Sequence, residues 1–315
     1  MKTALQGKRV GPFFIGGSEF GRGQDWSVES SYKLCEQVAK SHYENFPVGS
    51  FLLPKRIRKH FYAIYAFARL ADDMADEETN GALSPDGRLE MLGLWREMLI
   101  RSFDSQPAHP VFIALRKTAA EFDLPKVLFE ELLSAFAQDV TTGRYKTFDD
   151  LRDYCRRSAN PVGRLILLLF GHRDPQLFEW SDSICTALQL ANHWQDVSVD
   201  LIKDRIYIPA EDMARFGVRE PDLALRPAPE AFRELMRFEV ARARELFLLG
   251  RPLCASVTGR LAVELRVVWL AGMKVLKRIE ESGYDVLTSR PAIGNAERLL
   301  MIWPAIRKGA FLKQE

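Results

Sequence analysis

The sequence predicts an all-α chain. Apolar residues recur at steps of three and four along most of its length, and prolines such as Pro107, Pro110, Pro125, Pro175 and Pro227 fall between those stretches. No alternating strand pattern of useful length and no internal repeat is present. Residues 1–26 are rich in glycine (Gly11, Gly16, Gly17, Gly21, Gly23) and read as an irregular N-terminal extension. Ser27 is placed to cap a helix running to about Ser41, and Pro54 opens a second that runs to about Asp76. The loop NGALSPDG at 80–87 follows. Further helices are expected over 86–103, 109–122, 125–142, 149–171, 175–200, 228–251 and 254–282. Composition does not shift sharply anywhere, so residues 27–315 read as one all-α domain.

Bulk properties narrow the function. A formal net charge of +2 over 315 residues gives no argument for nucleic acid. The basic run KRIRK at 55–59 is short and reads as a solvated helix start. Cys35, Cys155, Cys185 and Cys254 lie far apart, which fits buried small hydrophobes in a reducing compartment and not a disulfide frame or zinc site. No run approaches the roughly 18 apolar residues of a membrane span, and LILLLF at 165–170 is the longest notable one. The N-terminus lacks the apolar core of a signal peptide, so the expectation is a cytoplasmic protein.

Two polar clusters stand out. In ADDMADE at 71–77, Asp72 and Asp76 are four apart; in ANHWQDVSVD at 191–200, Asn192, Asp196 and Asp200 repeat that step. The first row continues an apolar stripe of Phe61, Ile64, Tyr65 and Ala68, and the second continues Cys185 and Leu188. Residues three and four apart share a helix face, so both rows extend faces expected to point inward. A lone buried carboxylate costs several kcal/mol even after relaxation. Four would repel, take up protons or bind cations. Hard divalent cations suit oxygen ligands, and Mg²⁺ usually arrives with substrate phosphates. The plainer alternative for any one such row is a solvated helix edge. A di-iron carboxylate bundle would need Glu-x-x-His pairs, which the five histidines (42, 60, 109, 172, 193) do not form. His193 lies about 100° round the helix from Asn192 and reads as a packing residue.

Two aspartate rows with magnesium can grip a diphosphate, and the metals act as Lewis acids on the leaving group. Ionisation of an allylic or cyclopropylmethyl diphosphate leaves a carbocation that must be shielded from stray water. Aromatic faces stabilise such a cation by roughly 0.5–2 kcal/mol each. The chain carries 20 Phe, 8 Tyr and 6 Trp, and periodicity does not sort cavity aromatics from core.

These stretches resemble the squalene/phytoene synthase family over about residues 32–290. AIYAFARLADDMAD at 63–76 is similar to its first aspartate motif and LQLANHWQDVSVDLIKDRIYIP at 188–209 to its second. AFAQDVTTGRYKTFDDLRDYC at 135–155, which includes Asp139, and YDVLTSR at 284–290 match the connecting and C-terminal stretches. The resemblance implies a class I isoprenoid-synthase helical fold with a central cavity and three Mg²⁺ bound with diphosphate. It assigns Asp72 and Asp76 to one metal group, and Asn192, Asp196 and Asp200 to the other. It places Arg69, one turn before Asp72, on the diphosphate, where a guanidinium fork suits phosphate; an ion pair with Asp73 is the alternative. His42 aligns with a diphosphate-side histidine or, alternatively, is a capped helix-end histidine. Tyr65, Gln189, Arg205 and Tyr207 are further candidates for that rim. Phe46 and Phe51 align with cavity aromatics, with core packing as the equal alternative.

The departures narrow the choice. Where family members carry an aromatic-rich YCYxVAGxVG-like stretch, this chain has YCRRSANPVG at 154–163, and Gln195 stands where many have arginine. Arg156 and Asn160 could orient water beside the cation, although Arg156 could equally make a surface salt bridge. The pattern is most similar to the bacterial hopanoid-pathway branch that converts presqualene diphosphate and water to hydroxysqualene and diphosphate without NADPH. The implied partners are presqualene diphosphate, a peripheral contact with the inner membrane face, and transient handover with neighbouring pathway enzymes. Two alternatives stay open: a squalene or phytoene synthase joining two prenyl diphosphates head to head, and a non-catalytic helical prenyl-lipid-binding protein.

Overall fold

A computed structural model describes residues 14–15, 18–19, 25–41, 53–76 and 83–306. These fall into two compact units, one within Met1–Ser50 and Pro54–Thr141, the other within Phe51–Leu53 and Thr142–Glu315. Nearly all their regular structure is helical. The exception is a short antiparallel pairing of Phe14–Ile15 with Ser18–Glu19.

The first unit contains α1 (Val28–Ser41), α2 (Lys55–Ala75), α3 (Pro85–Asp104), α4 (Pro110–Phe122) and α5 (Lys126–Thr141). Their starts follow local chemistry. The Ser27 hydroxyl accepts the Ser30 N–H at 3.1 Å, and that of Ser84 accepts the Gly87 N–H at 3.2 Å. His109 Nδ1 accepts the Val111 N–H at 3.3 Å. Pro85 and Pro110 occupy first turns, where a missing N–H costs nothing. Helix α2 is the hub. Phe67 meets Trp95 of α3, Phe112 of α4 and Phe129 of α5 at centroid separations of 6.0, 6.0 and 5.5 Å, and all four are fully buried. Helix α1 is tied in by a buried polar knot: the Tyr32 hydroxyl lies 3.2 Å from His60 Nδ1 and 2.9 Å from Thr118 Oγ1.

The second unit contains α6 (Phe148–Ser158), α7 (Asn160–Leu169), α8 (Pro175–Gln195), α9 (Val197–Asp200), α10 (Ala210–Arg215), α11 (Glu230–Gly250), α12 (Leu253–Ser256), α13 (Gly259–Glu281) and α14 (Asn295–Ile306). The helix expected over 149–171 is two helices. Ala159 breaks it at φ −114°, ψ −45°, and Pro161, which has no N–H to donate, sits in the first turn of α7. The helix expected over 175–200 stops at Gln195, and α9 starts after a jog at Asp196 (φ −102°, ψ 11°). Helices α10 and α14 were not expected; α14 contains Pro304, which reads as a breaker.

Helix α8 is the strut of this unit, with α6, α7, α11 and α13 packed on it. Close approach depends on glycine. A Cβ at Gly250 would sit 2.6 Å from the Trp180 carbonyl oxygen and 3.0 Å from the Ile184 nitrogen, both backbone atoms of α8. One charged cluster is buried here. Arg242 bridges Asp212 of α10 (2.8 Å) and Glu239 of α11 (3.2 Å), with its guanidinium 3.9 Å from the Phe148 ring centre and 4.4 Å from that of Phe238. Burial pushes the Glu239 carboxyl up to about 8; Arg242 opposes this and the charge of Asp212 adds to it. Among the described residues no helix is long and apolar enough to cross a membrane.

Candidate active site

The first carboxylate row ends α2. Its fully buried face runs through Ala63, Phe67, Leu70, Ala71 and Met74. Tyr65, Ala68, Asp72 and Asp76 form a neighbouring stripe of intermediate exposure. The row therefore borders the core and does not enter it. The stripe points inward at Phe61 and Ile64, which are buried, and reaches a partly exposed edge at the row, where water still solvates the carboxylates. The aspartate that is buried, Asp73, is paired, with Arg69 Nη2 2.5 Å from its carboxylate. Arg69 Nη1 also lies 3.3 Å from Asp72 Oδ2. The ion pair weighed as the alternative for Arg69 is thus present, and the same guanidinium reaches the row. At Asp76 the chain leaves the helix (φ −76°, ψ 132°) while its N–H still bonds the Asp72 carbonyl at 3.0 Å. Buried Arg88 of α3 donates to the adjacent Ala75 carbonyl at 2.8 Å. It places a cation on the helix C-terminus, where the macrodipole favours it.

The second row spans the jog between α8 and α9. Cys185 and Leu188 are of intermediate exposure, Asn192 is exposed, and Asp196 and Asp200 are intermediate. The spacing survives the jog because the Asp196 N–H bonds the Asn192 carbonyl (2.9 Å) and the Asp200 N–H bonds the Asp196 carbonyl (2.8 Å). Burial and then the charge of Asp196 push the Asp200 carboxyl up to about 6; Arg205, Lys203 and Arg290 pull the other way. Arg290 grips Asp196 with Nε on Oδ1 and Nη2 3.2 Å from Oδ2. Buried Gln195, in the position that is arginine in many family members, donates its amide to the Pro291 carbonyl. Asp285 pins the same segment. Its carboxylate accepts from the Thr288 N–H and hydroxyl, the Ala228 N–H and Arg233. Although burial acts to raise it, those bonds hold the Asp285 carboxyl below the usual range.

The remaining candidates divide. Tyr207 is buried and stacks on His193 with ring centres 3.6 Å apart, and Tyr145 stacks on Tyr207 at 5.7 Å. Burial, with Arg205 adding, pushes the His193 imidazole down to about 3, so it is a neutral packing group, as read from the sequence. Gln189 Nε2 lies 3.4 Å from His193 Nε2. The Arg205 N–H bonds the Asp200 carbonyl at 2.9 Å. Asn160 is buried and accepts the Thr186 hydroxyl at 3.0 Å, a bond that ties α7 to α8. Arg156 is half-exposed and pairs with Asp153 at 3.0 Å, the salt-bridge alternative. His42, Phe46 and Phe51 lie outside the described residues. Sequence reasoning gave Arg290 and Arg88 no role. Arg290 stands 94 positions from Asp196, and no periodicity links them; the only signal was the match of YDVLTSR.

Among the described residues, no three or more His, Cys, Asp or Glu side chains gather into a ready-made metal cage. The donors each row offers, Asp72 and Asp76 in one and Asn192, Asp196 and Asp200 in the other, are all oxygens, the ligand chemistry that Mg²⁺ takes.

The chain is helical, and each unit carries one Asp-bearing row accompanied by an arginine, Arg69 in the first and Arg290 in the second. The squalene/phytoene synthase family profile matches residues 39–297, and the chain belongs to that family. It is 36% identical over 271 residues to the hydroxysqualene synthase of Zymomonas mobilis, covering 83% of this chain and 86% of that one. It is 32% identical over 289 residues to the phytoene synthase of Arthrospira platensis, covering 86% and 91%. The crystal structure of squalene synthase HpnC from Alicyclobacillus acidocaldarius superposes with a TM-score of 0.77 at 41% identity, covering 82% of this chain and 96% of that one.

Proposed function

We propose that the chain converts presqualene diphosphate and water to hydroxysqualene and diphosphate. The observation that carries this reading is the Asn192–Asp196–Asp200 row of oxygen donors at the end of α8, in a chain 36% identical to a hydroxysqualene synthase. Asp72 and Asp76 in one row, and Asn192, Asp196 and Asp200 in the other, would hold Mg²⁺ through hard oxygen donors. The bound Mg²⁺ would supply Lewis-acid neutralisation of the leaving diphosphate.

The chain's own groups do the rest. The Arg69 guanidinium, now held by Asp72 and Asp73, is positioned to turn its free donors to phosphate oxygens. Neutral His193, Tyr207, Tyr154 and Tyr145 pack as one aromatic block, which reaches the second row through His193, the neighbour of Asn192 in α8. The polar YCRRSANPVG stretch supports capture of the cation by water, although Asn160 already bonds Thr186 and Arg156 already pairs with Asp153.

A second reading is favoured by the phytoene synthase match: head-to-head joining of two prenyl diphosphates. One incubation separates them. Pure protein with presqualene diphosphate and Mg²⁺, without NADPH, should yield a C30 alcohol. Absence of that alcohol, together with coupling of two farnesyl or geranylgeranyl diphosphates, would select the second reading. Tight prenyl binding without turnover would select a binding protein.

A further inference from the structure

A cavity of about 510 Å³ lies in the first unit, lined by residues of α1, the start of α2, and Lys117 of α4. Its position separates it from the first aspartate row. Lys59 is thirteen residues before Asp72 on α2, which places the two about 20 Å apart along the helix axis. The lining carries five cations (Lys33, Lys55, Arg58, Lys59, Lys117) against two carboxylates (Glu29, Glu36). Both carboxylates are engaged, Glu29 by Lys33 at 2.8 Å and Glu36 by Lys40 at 2.7 Å. The lining therefore keeps an excess of positive charge.

Beneath those cations the floor is aromatic. Tyr32 and Tyr62 are both more than nine-tenths buried. The Tyr32 hydroxyl is tied inward to His60 and Thr118, so the ring and not the hydroxyl faces the groove. Lys59 Nζ sits 5.1 Å from the centre of that ring. The volume falls in the range of small-molecule sites. A cationic rim over an apolar floor recognises an anion carried on an apolar body. The KRIRK run, read from sequence as a solvated helix start, supplies three of the five cations.

We propose that this groove binds a phosphate group, and that it is a site separate from the aspartate rows. Two sources share that chemistry: the headgroup of an anionic phospholipid and a free phosphate. The proposal does not depend on which prenyl reaction the chain performs.

The test uses the full chain in EDTA, so that no divalent ion assists binding at the aspartate rows. Co-sedimentation is measured with phosphatidylcholine vesicles with and without phosphatidylglycerol, and binding of inorganic phosphate by calorimetry. Lys55→Glu with Lys59→Glu should weaken whichever binding occurs by about tenfold or more, at ~1 kcal/mol per basic residue near an anionic surface. Lys55→Gln with Lys59→Gln should give an intermediate loss, and circular dichroism checks that both variants fold. Arg96→Glu with Arg101→Glu reverses the same number of exposed charges on α3, none of whose residues lines the groove, and should leave binding within about twofold, since screening confines such effects to about 8–10 Å. Binding to phosphatidylglycerol vesicles alone identifies the lipid source, and binding of inorganic phosphate identifies the free anion. Binding of neither, or equal losses in the groove and control variants, overturns the proposal.

Discussion

Arg290 and Asp196 show how one pairing can hold a site ready. The Arg290 guanidinium sets a positive charge against the second carboxylate row. Asp196→Asn should lower kcat/KM by roughly 10²-fold or more, because it removes a ligand needed when the leaving group develops charge. Arg290→Lys keeps the charge and loses the two-pronged geometry, so a loss of about tenfold is expected. Diphosphate release measures both. Glu239 makes a separate prediction about stability. Its folded-state value of about 8 lies above that of an exposed glutamate. The folded chain therefore binds the proton more tightly, and the stabilisation is complete below about pH 4.3 and lost as pH rises towards 8. Glu239→Gln mimics the protonated form. The two proteins should melt alike near pH 5, and the variant should melt several degrees higher than wild type at pH 8.5.

At the scale of elements, glycine sets how closely α11 approaches α8. A Cβ at Gly250 would meet the Ile184 side chain and two backbone atoms of α8, and the backbone atoms cannot rotate away. Gly250→Ala should cost about 1–3 kcal/mol in denaturant unfolding. Much of the element order was legible. The 80–87 loop and the prolines marked the starts of α3, α4 and α8, where the structure adds that Ser84, His109 and Asp174 accept N–H groups of the first turn. What was not legible depended on partners distant in sequence. The break at Asp196 leaves no composition signal, and the four-residue spacing that revealed the row also concealed the jog, because the hydrogen-bond ladder runs through it. Helix α14 was missed because Pro304 reads as a stop, although Ala305 is fully buried and its carbonyl is held by Arg266. The aspartate rows were found from spacing, and Arg69 from its place one turn before Asp72; Arg290 needed the fold.

For the whole molecule, binding and stability are linked. A ligand that binds only the folded chain raises its melting temperature, by about 2.7 kcal/mol of stability at a hundred times the dissociation constant. Mg²⁺ with inorganic pyrophosphate should therefore raise Tm by several degrees in scanning fluorimetry. Mg²⁺ alone and pyrophosphate alone should do little, since neither row offers a complete metal cage. Asp72→Asn and Asp200→Asn should each abolish most of the shift. No shift with the pair of ligands would remove the magnesium–diphosphate reading from both rows. The fastening of residues 285–291 also has a practical side. A chain shortened to end at Gly283 would discard both the arginine clamped on Asp196 and the carbonyl that anchors Gln195. Because such trimming also removes α14 with its buried Ala305, Arg290→Ala in the full chain isolates the missing counter-charge, and a tail cut beyond Ile306 leaves Arg290 and Pro291 in place.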